Sequence, residues 1–180
     1  MPREPDIRFE PVTPAHYALL RRWLEGPHMR QWWGEPADEL DKIVDMVEQR
    51  DRFQHPFIFS VDGRPAGYIQ YWHIGPHQTE EWTTDNPWLM ELDAATVGVD
   101  IAIGEEANLA RGLGSTVLKR FVKMLREMGH QTIIIDPDPE NRRAVRAYEK
   151  AGFQLLPHLA GRTEGVLIMH HVPQAELRAT

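Results

Sequence analysis

The chain contains no cysteine among its 180 residues, which excludes a disulfide framework, a thiolate metal site and a cysteine nucleophile. It also lacks an apolar run of the roughly 18 residues that a membrane-spanning helix needs. No apolar stretch of signal-peptide length follows Met1. Basic residues are fewer than acidic ones, 20 against 27, and nucleic-acid binding usually requires a basic face. We therefore expect a cytoplasmic protein that binds neither membranes nor nucleic acid.

The composition is otherwise that of an ordinary globular protein, with 42% hydrophobic and 26% charged residues. A chain of this length predicts one domain, residues 1–180. The net charge of −7 suits a cationic partner, although an acidic surface also simply favours solubility. The nine histidines show no metal-ligand spacing, and His170 and His171 would point to opposite faces of a strand, so no metal is expected.

Hydrophobic periodicity predicts a mixed α/β protein with one central sheet. Thr13-Pro14 begins a helix that Gly26-Pro27 ends, and Asp62-Gly63 predicts a turn between two strands. Residues 73–94 read as a long polar and aromatic loop. The further predicted helices are 37–49, 115–128 and 141–151, and the strands are 7–12, the two halves of 57–72, 95–103, 132–136, 153–156 and 165–171.

Two segments carry residues suited to chemistry. In "ARGLGST" (110–116), Gly112 and Gly114 permit a tight turn before a helix, whose main-chain amides and dipole favour an anion such as pyrophosphate. Arg111 would add a charge-assisted contact. The pattern is neither a Rossmann nor a P-loop fingerprint, and a merely tight loop remains an alternative.

The second segment, "DPDPENRRAVRAYEKAGF" (136–153), follows a buried strand. Asn141 either caps the helix or binds a ligand. Tyr148 lies two helical turns further on, so both side chains can face one groove, although an aromatic here is also typical of a core. A phenol, with a pKa of about 10, can give a proton to a departing thiolate.

Together, "RGLG" and the pattern N-x-x-A-x-x-x-Y-x-K-x-G-F resemble the GNAT superfamily of acyl-CoA-dependent N-acyltransferases. Leu109 stands where that family's usual motif has glutamine or arginine. The stretches "WLEGPHMRQWWGEP", "GRPAGYIQYW", "TTDNP" and "VGVDIAIG" are further similar to the aminoglycoside 6'-N-acetyltransferases. The resemblance implies a GNAT fold: a mixed, mostly antiparallel sheet with a splayed parallel pair and helices on both faces.

The resemblance also implies acetyl-CoA as cofactor, lying between the strand at 98–103 and the strand at 132–136. Tyr148 would protonate the leaving sulfur. Asp100 would stand beside the attacking amine as counter-ion or proton relay, since an aspartate with the ordinary pKa of about 3.9 is a poor base for an ammonium. The implied cofactor-binding residues are Ile101, Ala102, Ile103, Ala110, Arg111, Gly112, Leu113, Gly114, Ser115, Asn141, Ala144 and Tyr148.

The implied acceptor is a small cationic amine, an aminoglycoside, and the protein is expected to be a monomer or homodimer. Aromatic walls suit a sugar ring or a cation, and the acidic loop at 73–94 would attract one. The implied substrate-binding residues are Trp32, Trp33, Tyr68, Gln70, Trp82, Asp100 and Asp136, with Tyr71 and Trp88 nearby.

Two alternatives remain. The acceptor can instead be a hydroxylysine-type siderophore precursor, a polyamine or a peptide amine. A protein of another class, a non-catalytic acyl-CoA-binding sensor, would keep the cofactor residues without any turnover.

Overall fold

The structure, a computed structural model, describes residues 3–173. Its strands are β1 Ile7–Pro11, β2 Gln54–Val61, β3 Arg64–His73, β4 Val97–Ile103, β5 Ile133–Ile135, β6 Phe153–Leu155 and β7 Met169–His171. They form one sheet in the order β1-β2-β3-β4-β5-β7-β6. The pairs β1-β2, β5-β7 and β6-β7 are antiparallel, whereas β4 and β5 are parallel. The mixed, mostly antiparallel sheet expected from the sequence is therefore confirmed.

Six α-helices lie in the described residues: α1 Tyr17–Leu24, α2 Pro27–Trp33, α3 Pro36–Val47, α4 Glu80–Thr83, α5 Leu113–Glu127 and α6 Arg142–Ala151. The sequence predicts only two helices before β2, and this prediction is wrong. Pro27 does follow the end of α1, but it also begins α2, because proline is favoured at the first position of a helix. Trp32 and Trp33 therefore lie on a helix.

The segment 73–94, read as a loop, contains short helical turns. These are α4 and two 3₁₀ helices, Gly75–His77 and Pro87–Glu91. The final strand is also shorter than expected, since it begins at Met169 rather than near residue 165.

The parallel strands β4 and β5 pair at their amino-terminal ends. Val97 lies opposite Ile133 and Gly98 opposite Ile134, and the Val97 amide donates to the Thr132 carbonyl at 3.1 Å. β5 ends at Ile135, whereas β4 continues to Ile103. The main chain of β4 therefore extends well past the paired positions.

The chain divides into two compact units. The first comprises the chain up to Gln70 together with Ile101–Val117, and the second comprises Tyr71–Asp100 and the chain from Leu118 onward. The single domain predicted for residues 1–180 stays a prediction.

The first unit packs α1, α2 and α3 around an apolar core. Its buried members include Leu20, Trp23, Leu24, Met29, Leu40, Ile43, Ile58, Tyr68 and Ala102. Gly67 permits β3 to approach β4 here, because an added Cβ would lie 2.3 Å from the Ala102 carbonyl oxygen. A larger residue would push the two strands apart.

The second unit has its own core. Leu118, Phe121 and Leu125 on one face of α5 are fully buried, as the helical periodicity predicts. A second cluster comprises Ile74, Trp88, Leu89, Leu92, Ile134, Leu159 and Ile168. In the described part of the chain, no helix is both long and apolar enough to cross a membrane.

His171, on β7, is held by a half-buried arginine in the second unit. Arg126 Nη2 lies 3.0 Å from His171 Nδ1 and also donates to the His171 carbonyl at 3.1 Å. Burial, and next the Arg126 charge, lowers the pKa of His171 to about 4. The imidazole is therefore neutral near pH 7, so Nδ1 accepts from the guanidinium.

This contact predicts a loss of stability in acid. The unfolded chain binds a proton at His171 near pH 6.5, whereas the folded chain does so only near pH 4. The stabilisation is thus complete above about pH 6.5 and disappears as the pH falls towards about 4. His171→Gln keeps an acceptor but does not titrate. Its melting temperature should fall a few degrees less than that of the wild type between pH 7.5 and pH 5. Equal losses in both proteins would contradict this account.

Candidate active site

An open main-chain turn precedes α5 in the first unit. Gly112 has a φ of +73°, and within the described residues nothing lies within 4 Å of a Cβ built on it. Ala110 adopts a φ of +60°, which is uncommon for a residue other than glycine. Arg111 is exposed. The turn is therefore accessible and shaped by the two left-handed residues.

The amino terminus of α5 presents unpaired amide donors. The Gly112 carbonyl accepts from the Thr116 amide at 3.2 Å and from both the Ser115 and Thr116 hydroxyls at 3.0 Å. The first amides of an α-helix have no partner within the helix, and its dipole favours an anion there. The main chain of Leu113, Gly114 and Ser115 thus suits a phosphate, whereas the Ser115 hydroxyl is engaged locally.

The carboxyl-terminal half of β4 also belongs to the first unit. The Gly104 amide donates to the Ala66 carbonyl, in β3, at 2.9 Å. Peptide groups alternate in direction along a strand, so the amides of Ile101 and Ile103 point away from β3. Ile101 and Ile103 are half-buried and Ala102 is buried. These amides have the direction that an extended acyl carrier running beside β4 would need.

Asp100 and Asp136 occupy equivalent positions on β4 and just past β5 in the second unit. Gly98 pairs with Ile134, and each aspartate lies two residues further along its own chain segment. Side chains two residues apart project from the same face of a strand. The two carboxylates therefore lie on one face, two residues beyond the last paired position.

Tyr148, on α6, forms a cluster with the two carboxylates, whose charges act on its phenol. Burial, and next the charge of Asp100, raises the pKa of Asp136 well above its ordinary value. Burial also raises the pKa of Tyr148, and the Asp100 and Asp136 charges add to this. Two neighbouring carboxylates cannot both ionise freely. Asp136 therefore holds a proton more tightly than an ordinary aspartate does, and the phenol keeps its proton near neutral pH.

Asn141 is an N-cap in this structure. Its Oδ1 accepts from the Ala144 amide at 3.2 Å, at the start of α6. The capping alternative from the sequence is therefore confirmed. The Asn141 side-chain amide still has donors that this bond does not use. The helix ends at Gly152, whose φ of +102° is typical of a C-terminal glycine.

The predicted acceptor residues of the first unit lie in or against its core. Tyr68 is only 1% exposed, and its hydroxyl donates to Gln70 Oε1. Gln70 is also buried. Trp33 packs edge-on against Tyr68 with ring centroids 5.7 Å apart, and Trp32 is half-buried. Only the two tryptophans retain surface for direct contact with a ligand.

The predicted aromatic residues of the second unit differ in exposure. Trp82, on α4, is 42% exposed and packs edge-on against the buried His77, with ring centroids 4.8 Å apart. Tyr71 and Trp88 are buried. Of these three aromatic side chains, Trp82 alone is exposed enough to contact a ligand directly. Sequence reasoning cannot separate these residues, because all of them are aromatic and lie close together in sequence.

Among residues 3–173, no three histidine, aspartate or glutamate side chains are grouped as metal ligands would be.

Comparison with known proteins identifies the family. Residues 13–160 match the acetyltransferase (GNAT) domain. Over 151 residues, covering 79% of this chain and 71% of the relative, the sequence is 32% identical to aminoglycoside N(6')-acetyltransferase type 1 of Klebsiella pneumoniae. A kanamycin resistance protein of Rhizobium radiobacter is 38% identical over 68 residues, which cover 37% of this chain and 63% of that protein. The chain belongs to the GNAT acetyltransferase family and is an acetyl-CoA-dependent N-acetyltransferase.

Solved structures agree with this assignment. Aminoglycoside acetyltransferase AAC(6')-Ib in complex with coenzyme A and kanamycin superposes with a TM-score of 0.77 at 27% identity, covering 96% of this chain and 98% of that one. The same enzyme in complex with parmomycin and acetyl-CoA also gives a TM-score of 0.77, at 28% identity, covering 96% and 97% of the two chains. The GNAT fold predicted from the sequence is confirmed.

The coupling of the two carboxylates can be tested by removing one charge. In Asp100→Asn, the pKa of Asp136 should fall, because the charge that opposes its ionisation is gone. Carboxyl ¹³C chemical shifts followed through a pH titration measure this directly. Asp138→Asn, an exposed change on the same segment, serves as control and should leave the Asp136 titration unchanged. An unaltered Asp136 pKa in Asp100→Asn would show that the two groups do not interact.

Proposed function

We propose that the protein transfers an acetyl group from acetyl-CoA to the 6'-amino group of an aminoglycoside, by direct attack in a ternary complex. The observation that carries this proposal is the carboxylate pair Asp100 and Asp136, whose charges act on the phenol of Tyr148. The absence of cysteine supports direct transfer, because no thiol is present to hold the acetyl group on the enzyme. The names of the relatives support the choice of acceptor.

Acetyl-CoA supplies the activated acetyl group. The open turn at Gly112 and the free amides at the start of α5 fit its pyrophosphate, since they offer main-chain donors without side-chain obstruction. The amides of Ile101 and Ile103 would donate to the pantetheine arm and to the thioester oxygen. Such fixed donors, when they face a developing negative charge, typically contribute about 10²–10³ in rate. We assign the remaining donors of Asn141 to the pantetheine as well.

The two aspartates have different proposed roles. The amine must lose its proton to attack, and Asp136, whose pKa is raised, is a better proton acceptor than an aspartate with the usual pKa. Asp100 would then act as the counter-ion that orients the amine. Several ammonium groups on the acceptor would also relieve the repulsion between the two carboxylates. A polycationic acceptor is therefore better matched to this pair than a neutral one.

Tyr148 is the proposed proton donor to the departing sulfur. Its raised pKa keeps the proton on Oη, but it also makes the phenol a weaker acid than an isolated tyrosine. A cationic acceptor beside Asp100 and Asp136 would offset the charges that raise this pKa. Proton donation would consequently become easier only when the acceptor is bound, which disfavours wasteful hydrolysis of the thioester.

We also propose residues that recognise the acceptor. Trp32, Trp33 and the exposed Trp82 would provide apolar faces for sugar rings, with Tyr68 and Gln70 supporting Trp33 from within the core. Glu80 and Glu81, on the exposed surface of α4, would attract a cation through long-range electrostatics.

We further propose that the protein is located in the cytoplasm, where acetyl-CoA is available. We propose that it has no nucleic-acid or membrane partner and is a monomer or homodimer.

Release of free thiol tests the proposed reaction. Purified protein, acetyl-CoA and kanamycin should liberate coenzyme A, which a thiol reagent detects without background because the chain has no cysteine. Polyamines, a hydroxylysine derivative and a lysine peptide serve as competing acceptors, and a long-chain acyl-CoA as competing donor. Faster turnover of one of these amines than of kanamycin would show that the proposed acceptor is wrong. Faster turnover with the long-chain acyl-CoA would show that the proposed donor is wrong. Coenzyme A binding without turnover of any amine would leave only the sensor alternative.

Tyr148→Phe tests the proposed acid. The value of kcat should fall by about 10²-fold or more, since general acid catalysis typically contributes 10²–10⁴, while the KM for acetyl-CoA changes little. Packing of the ring near Phe153, with centroids 6.5 Å apart, is retained, so the melting temperature should not fall. Glu149→Gln, an exposed neighbour on α6, is the matched control and should keep wild-type kcat. An unchanged kcat in Tyr148→Phe would remove the phenol from the mechanism.

A further inference from the structure

The peptide group between Ile103 and Gly104 is held from both sides within the first unit. Its amide, on Gly104, donates to the Ala66 carbonyl at 2.9 Å. Its carbonyl, on Ile103, lies 2.9 Å from Nε2 of His28, near the start of α2. Because a carbonyl can only accept, Nε2 carries the hydrogen. The plane of this peptide is thus fixed by two hydrogen bonds that come from different elements.

A tryptophan covers the same point of the chain. A Cβ built on Gly104 would lie 2.3 Å from Cε2 of Trp23, so the indole of α1 rests directly on the glycine main chain. Trp23 is only 3% exposed, and its Nε1 donates to Glu105 Oε1 at 3.1 Å. Three consecutive residues at the end of β4 are therefore held by one histidine and one tryptophan. We call His28 and Trp23 together the strand clamp.

We infer that the strand clamp positions the amides of Ile101 and Ile103 for acetyl transfer, and that His28 is a positioning residue of the reaction. This inference rests on the proposed function of those two amides. Rotation of the 103–104 peptide changes the direction of the Ile103 amide, because both share the backbone dihedrals of Ile103. A donor that is aimed at a developing charge must keep its direction, and small displacements of reacting groups can cost about 10²-fold in rate.

His28 is poorly explained by stability alone. Its Nδ1 is buried and has no hydrogen-bond partner in the described part of the chain. Burial of an unsatisfied acceptor costs free energy, which an apolar side chain of similar length would avoid. The hydrogen bond from Nε2 to the Ile103 carbonyl explains why an imidazole occupies this position despite that cost. The sequence does not predict this role for His28. In "WLEGPHMRQWW" only the tryptophan pair was predicted to belong to the site.

A matched pair of substitutions tests His28. His28→Gln retains a side-chain N–H that can reach the Ile103 carbonyl, whereas His28→Met is of similar length but has no donor. His158→Met is the control, because His158 Nε2 also bonds a main-chain carbonyl, that of Glu91 at 3.2 Å, but lies outside the proposed active site. The measurements are kcat and KM for acetyl-CoA, the affinity for coenzyme A by calorimetry, and the melting temperature, with assays run well below the lowest melting temperature.

The expected result separates positioning from folding. In His28→Met, kcat should fall by about 10- to 100-fold, while the affinity for coenzyme A stays within about threefold, because the pyrophosphate turn is unaltered. His28→Gln should recover most of the lost kcat, and His158→Met should keep wild-type kcat. A wild-type kcat in His28→Met would overturn the inference. So would a low kcat in both His28 variants that matches an equal loss of melting temperature, since this indicates structure alone.

Trp23→Phe provides an independent route if His28→Met fails to fold. The phenyl ring still covers Gly104, but the hydrogen bond to Glu105 is lost. The value of kcat should therefore fall by a few-fold without loss of coenzyme A affinity, and an unchanged kcat would contradict the role of the strand clamp.

Amide hydrogen exchange at Gly104 should be faster in each variant with reduced kcat, and unaltered exchange would contradict the inference. Neither the calorimetry nor the exchange measurement needs an amine acceptor. Failure of the wild type to acetylate aminoglycosides would therefore be recognised separately as failure of the proposed function.

Discussion

Two carboxylates on one face of the sheet, with a phenol beside them, form the constraint on which the proposed chemistry depends. Asp100 and Asp136 lie just beyond the last paired position of β4 and β5, where neither can ionise without opposing the other. A protein pays for such an arrangement in stability unless a ligand relieves it. In the proposed mechanism, a bound ammonium would supply the missing positive charge. Substrate recognition and activation of the phenol would then have one physical origin.

The fold produces this constraint through a small number of backbone features. β5 is only three residues long, so Asp136 follows immediately after its last residue, Ile135. The parallel register then sets Asp136 level with Asp100. Asn141 caps α6 and thereby fixes the helix on which Tyr148 lies. In the first unit, glycines play the corresponding role, because Gly104 admits the indole of Trp23 and Gly112 leaves its turn open.

Sequence reasoning predicted the strongly patterned elements of this protein and most of the proposed site. The apolar face of α5 and the turn at Asp62-Gly63 are local signals, and both are confirmed. The signal at Gly26-Pro27 was ambiguous, because proline can follow one helix and begin the next, so α2 was missed. The helical turns within 73–94 are too short to show a period.

What the sequence could not indicate depends on contacts between distant residues. Asp100 and Asp136 are separated by α5, and only the register of two strands brings their charges together. The burial of Tyr68 follows from packing against α2 and α3, and the buried Gln70 accepts from its hydroxyl. The bond from His28 to Ile103 is likewise a tertiary contact. Chemistry-bearing residues were visible in the sequence, but their mutual influence was not.

Proton linkage measures the central claim most directly. Kanamycin binding is followed by calorimetry in two buffers of different ionisation enthalpy, across the pH range from 5 to 7, for the wild type and for Asp136→Asn. A cation that binds between the carboxylates should lower the raised pKa of Asp136, so the wild type should release more protons than the variant on binding. Equal proton release by the two proteins would contradict the account, because the carboxylate pair would then not respond to the acceptor.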